Sequence, residues 1–142
     1  MKMLKSYVLA TTFALAMLLG SSGASATFDE TLVDLAKAST PKATSSLYNA
    51  LALSSPREPS FKYYTYVYAN QAYLALYWAW VHAPAGSYTQ LYAQYAFQNE
   101  LQARNYALAA NYGYDYGTTV AYYQWLAALY VGVTNLSAVY GM

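Results

Sequence analysis

"YYTYVYANQAYLALYWAWV", Tyr63 to Val81, runs nineteen residues without a charge and holds six tyrosines and two tryptophans. Three structures compete for it: a β-ribbon, a membrane span and a soluble helix. Tyr64-Thr65-Tyr66-Val67-Tyr68 alternates, uses strong strand formers and argues for the ribbon. The alternation stops at Ala69. From there alanines recur at 69, 72, 75 and 79, and neither Gly nor Pro interrupts the chain between Phe61 and Ala83. On a helical wheel Tyr63, Tyr66, Asn70, Tyr73, Tyr77 and Trp80 form one stripe spaced 3-4-3-4-3, with the alanines opposite. A helical period held along the whole stretch outweighs a strand period held over its first few residues. The stretch is a helix.

A membrane span fits it poorly, although the helix is apolar all round. Thr65, Asn70 and Gln71 lie within it, and the tyrosine hydroxyls need partners. Tyrosine belongs at membrane interfaces rather than along a whole span, and the hydropathy is only weakly positive.

The chain opens on a different kind of segment. "MKMLKSYVLATTFALAMLLGSSGASA" has Lys2 and Lys5, an apolar run from Tyr7 to Leu19, and small residues closing on Ala24-Ser25-Ala26. This is the pattern of a secretory leader cut after Ala26, so residues 1–26 are read as a signal peptide and 27–142 as one Tyr-rich helical domain. The expected destination is the periplasm or the outside of the cell. Lys2 and Lys5 leave with the leader, so five basic side chains then face six acidic ones. Such a chain has no basic patch for nucleic acid. It also has no cysteine, so no disulfide supports it and packing alone must hold the fold.

Punctuation sets the remaining elements. Thr27-Phe28-Asp29-Glu30 is a capping box that opens a short helix to about Ala38, and Thr40-Pro41 restarts a helix that runs to about Leu53. "SSPREPS" breaks the chain. Ser87-Tyr88-Thr89-Gln90 is a second capping box, opening a helix to about Tyr112, and "GYDYG" turns the chain into a last helix from about Thr118 to Val139. The expected fold class is all-α: a small antiparallel bundle of three long helices plus one or two short N-terminal ones. At an offset of 53 residues, Tyr63, Thr65, Val67, Gln71, Ala75, Leu76 and Tyr77 match Tyr116, Thr118, Val120, Gln124, Ala128, Leu129 and Tyr130. That repeat predicts equivalent packing roles for the helix of the opening stretch and the last helix.

Of nineteen tyrosines only Tyr7 belongs to the leader, and three phenylalanines remain beyond it. A buried phenol needs a hydrogen-bond partner that a phenyl ring does not. The polar residues accompanying the tyrosines are amides, including Asn70, Gln94, Gln98, Asn99, Gln102 and Gln124, which predicts a Tyr–amide interior or interface. In the segment from Ser87 to about Tyr112, Tyr88, Tyr92, Tyr95, Asn99, Gln102 and Tyr106 form a stripe, and alanines 93, 96, 103, 107 and 110 offer a close approach to a neighbouring helix. Charged residues make up 9% of the chain against roughly 25% in an ordinary soluble domain, and none follows Asp115. Much of the surface must therefore be Tyr, Ala, Asn and Gln, a composition that marks contact with another body.

Catalytic constellations are poor. His82 is the only histidine, which excludes a site of several imidazoles, and as the end of a helix it suits the helix dipole. Nothing identifies a nucleophile beside it. Glu100 and Arg104, four apart, read as a solvated ion pair, and no Gly-rich phosphate loop is present. No cofactor or metal is expected. The leading expectation is an exported, non-enzymatic structural protein whose partner is another copy of itself or a polymer of the envelope or matrix. The candidate contact residues are Tyr66, Tyr73, Tyr77, Trp78, Trp80, Tyr88, Tyr92, Tyr95, Tyr106, Tyr123 and Trp125. The alternatives are a module that stacks glycans or small aromatic ligands on Tyr and Trp, and a substrate for oxidative tyrosine cross-linking.

Overall fold

A computed structural model of the protein describes residues 27–142, and the leader expected over residues 1–26 lies outside them. Every regular element among the described residues is helical: α1 Phe28–Ser54, α2 Pro59–His82, α3 Tyr88–Asn111 and α4 Gly117–Val139. Short connections make successive helices antiparallel. α1 packs on α2, α2 on α3 and α3 on α4, and a much thinner contact between α1 and α4 closes the ring. The opening stretch lies wholly within α2, as its period predicts.

Local signals start and stop the helices. Thr27 Oγ1 accepts the Glu30 N–H at 3.1 Å, and Ser87 Oγ accepts the Gln90 N–H at 3.0 Å. Gln90 Oε1 reaches back to the Gly86 N–H at 2.9 Å. Gly86 and Gly113 take φ of 77° and 102° in the two connections flanking α3, a backbone region that costs a side-chain-bearing residue strain.

The N-terminal region differs from expectation. In place of two short helices there is one of 27 residues, with Pro41 inside it. Proline breaks a helix when nothing compensates for its lost N–H. Here Ala38 on one side of Pro41 and Ser45 on the other are both fully buried, so packing holds a single face through the proline. The bundle therefore has four long helices.

The interior is built of alanine. Among the described residues, thirteen of the eighteen buried hydrophobic side chains are Ala, including all five anticipated on α3. Leu35, Leu76, Trp80 and Phe97 supply the bulk of a buried cluster that alanines complete. No tyrosine among the described residues is buried, which corrects the expected Tyr–amide interior. A ring that is only partly covered can shield a small-residue core while its hydroxyl still reaches water, so it does not require an internal hydrogen-bond partner.

The internal repeat does not carry equivalent packing either. Thr65 and Leu76 of α2 are buried, while their counterparts Thr118 and Leu129 of α4 are exposed; Gln71 is exposed and Gln124 buried. α4 presents a different face to the core.

Candidate functional site

The eleven candidate contact residues divide into separate groups. Tyr73, Tyr77 and Trp80 surround Phe97, with ring centroids 6.2, 5.8 and 5.3 Å from it. Trp80 is 1% exposed, so it is a core side chain and cannot serve as a contact ring. Trp78, on the outside of α2, stacks on His82 at 5.6 Å. Tyr66 lies under the Arg104 guanidinium, whose carbon is 5.5 Å from the ring centroid. Tyr88 stacks on Tyr92 at 6.4 Å, and Tyr95 meets Tyr130 at 5.3 Å. Tyr106 stacks on Tyr123 at 5.6 Å with the rings 7° from parallel. Trp125 stands apart, exposed on α4. The two exposed tryptophans, Trp78 and Trp125, thus occupy different helices and form no common stacking platform. Burial pushes the Tyr73 phenol above its ordinary value, with a further push from Tyr77 and against the pull of the Arg104 charge.

The ionisable residues are arranged otherwise than their spacing suggests. Glu100 does not pair with Arg104 on the helix surface. Its side chain is 0% exposed, and Oε2 accepts from Lys42 Nζ of α1 at 2.9 Å, across the bundle. Lys42 also donates to the Gln124 carbonyl at 3.3 Å, Gln124 Nε2 donates to Ser45 Oγ at 2.9 Å, and Ser45 donates to the Thr65 carbonyl at 2.7 Å. One polar layer thereby joins all four helices. Burial pushes the Glu100 carboxyl above the usual carboxylate range, and the Lys42 charge and hydrogen bond oppose that push. Arg104 instead donates to Asn70 Oδ1 at 3.0 Å.

His82 has a partner the sequence does not advertise. Its Nδ1 lies 2.6 Å from Oδ2 of the buried Asp34, which resembles two members of a catalytic triad. Its Nε2 lies 3.9 Å from Glu30 Oε2, so the ring stands between two carboxylates. Among the described residues, no three His, Cys, Asp or Glu side chains gather as metal ligands.

The feature that sequence reasoning missed is the outer face of α4. Tyr122, Trp125, Leu129, Gly132, Leu136 and Val139 are spaced 3-4-3-4-3, and all six are exposed. Their side chains, glycine aside, are between 50% and 62% exposed. The core-facing positions of the same helix are Val120, Gln124, Ala127, Thr134, Ser137 and Ala138. The sequence does contain the signal: two interleaved helical stripes on a helix of which only one can face inward. The more apolar one faces out. Beside it, between α1 and α4, a groove of about 270 Å³ is lined by Ser46, Ala50, Leu53, Gln124, Trp125 and Ala128. Leu47 and Leu51 are exposed elsewhere on the surface of α1. No charged side chain occurs in α4, nor in α1 beyond Lys42. A larger cavity of about 380 Å³ opens at the end of the bundle between Asn49, Lys62, Thr65, Asp115 and Gly117.

Among the described residues no helix is long and apolar enough to cross a membrane. Comparison with protein-family models, curated proteins and solved structures returns no match, so the reading of function rests on this geometry.

Proposed function

We propose that this is an exported, non-enzymatic structural protein that associates with copies of itself through a charge-free face built by α1 and α4. The observation that carries the reading is the outward stripe on α4, where a helix directs its bulkier apolar residues away from its own core. Contiguous exposed apolar surface of this kind marks an interaction site in small soluble proteins. The tyrosine sheath continues the same logic around the molecule, giving rings that shed water and hydroxyls that accept new partners. Export enters through the leader pattern of residues 1–26.

The test is sedimentation equilibrium on protein purified from cells expressing the full chain. Concentration-dependent association is expected in the wild type, and W125E/L129E should be monomeric with its helical circular dichroism intact. A wild type that stays monomeric at millimolar concentration, or a double variant that associates as before, refutes the reading. Mass analysis of the purified N-terminus tests the leader separately, with Thr27 expected as the first residue.

A second reading has its own observation. Tyr114, Tyr116, Tyr106, Tyr123 and Tyr122 form an unbroken chain of rings with successive centroids 5.9, 5.1, 5.6 and 5.3 Å apart. Its ends, Tyr114 and Tyr122, are exposed at 61% and 55%. In oxidative coupling two phenols each lose an electron and a proton and join through ring carbons, while a peroxide accepts both electrons and is reduced to water. Treatment with a haem peroxidase and hydrogen peroxide should give dityrosine fluorescence, with cross-linked peptides mapping to this chain. Coupling spread evenly over all exposed tyrosines would remove the reading.

A further inference from the structure

The seam on α4 is specific enough to define how two copies meet. We infer that the protein forms a two-fold dimer in which the two α4 helices pack antiparallel along Tyr122, Trp125, Leu129, Gly132, Leu136 and Val139. This rests on the self-association proposed above and adds its geometry.

A 3-4-3-4-3 stripe is the seam of a two-stranded coiled coil, and it reads the same in either direction. In an antiparallel pair, Leu129 of one copy therefore meets Gly132 of the other, Trp125 meets Leu136, and Tyr122 meets Val139. Each layer places a larger side chain against a smaller one, which evens the volume along the contact. A parallel pair would put Trp125 on Trp125 and Gly132 on Gly132, a bulge and a void two layers apart. Gly132 has the room the antiparallel arrangement needs: a Cβ built there meets nothing within 4 Å in its own chain. Glycine within an exposed helix is unfavourable by itself, and the proximity of a second backbone gives it a use.

Charge offers no alternative basis for orientation. Flanking e and g charges select the pairing direction in many coiled coils, but α4 carries no charged residue. Its exposed neighbours Ala121 and Ala128 are small and allow the helices to approach closely. Shape is left to set direction. Two-fold symmetry also makes the contact closed, since each copy uses the same stripe on both sides of the axis.

Absence of cysteine allows a clean distance measurement on the full chain. A spin label on T118C, at the start of α4, should report a label-to-label separation of about 37 Å in the antiparallel dimer, against about 10 Å in a parallel one, from the helical rise of 1.5 Å per residue. Mixed L129C and G132C chains should form the crossed disulfide in preference to either self-pair, and G132W should weaken dimerisation about tenfold or more. A short T118C distance, or association indifferent to G132W, overturns the pairing while leaving self-association standing. A monomeric wild type refutes both. Binding to phosphatidylcholine vesicles that W125E abolishes, by protein that is monomeric in solution, would assign the seam to a lipid surface and also overturn the inference.

Discussion

Glu100 sits inside the bundle with Oε2 on Lys42 and with Oε1 meeting no protein donor. A carboxyl pushed upward by burial holds its proton more tightly in the folded state than in the unfolded chain. Its contribution to stability is therefore full below the ordinary glutamate value of about 4.3 and is lost as pH rises through the raised folded value. Urea denaturation across this window should show E100Q with a flatter stability profile than the wild type, the difference between the two isolating this group from other acids. Lys42 gives the complementary prediction. K42M should destabilise by about 3–5 kcal/mol at neutral pH by leaving a buried acid unpaired, while K42M/E100M should recover most of that loss. Recovery by the double variant, measured from denaturation midpoints, separates a paired requirement from a requirement for charge itself. None of this was legible from residue spacing. Glu100 and Arg104 are four apart, and only neighbours along one helix can be read from sequence, whereas the true partner is 58 residues away. The same limit hid Asp34, which lies 48 residues from His82.

At the scale of the element, α2, α3 and α4 were legible because the turns that bound them and their long helical periods agree, with a capping box at Ser87 as well for α3. α1 was not. Its inward face consists of Thr31, Asp34, Leu35, Ala38, Ser45, Asn49 and Ala52, which is continuous on a helical wheel but too polar for hydropathy to mark. With that face invisible, Pro41 was the strongest local signal, and it suggests a break that packing overrides. α4 shows the opposite fault, an apolar stripe that is strong in sequence and points outward. Gly132 at the middle of that stripe separates the stability of the helix from its use. In the isolated monomer G132A should raise the unfolding free energy by about 0.5–1 kcal/mol, since alanine restricts the unfolded chain and favours the helix. The same change places a methyl group where the partner's Leu129 is proposed to sit, so association should weaken as the monomer strengthens. Chemical denaturation at low concentration and sedimentation at high concentration measure the two effects separately, and a loss in both would indicate an ordinary folding defect.

For the whole molecule, composition foretold the surface more reliably than it foretold the core. Few charges implied an exterior of tyrosine, alanine and amides, and every described tyrosine is at least partly exposed. The alanine core follows from the same shortage of bulk elsewhere: helices with small inward residues can approach closely, and aromatic rings then cover the seams between them. Composition could not show which side of the bundle remains uncovered, because that depends on the rotation of α4 about its own axis. Its consequence is a distinctive solution behaviour. An association through α1 and α4 brings together faces without charge, so ionic screening has little to act on. The dimerisation constant should change by less than about threefold between dilute and moderately concentrated sodium chloride, whereas screened ion pairs would weaken steeply. Sulfate should strengthen association because it favours burial of apolar surface, and cooling from room temperature should weaken it because apolar burial loses driving force in the cold. Sedimentation equilibrium over a matrix of salt and temperature measures all three responses. Strong weakening by sodium chloride together with tightening on cooling would point to the charged N-terminal half of α1 as the contact, and would take α4 out of it.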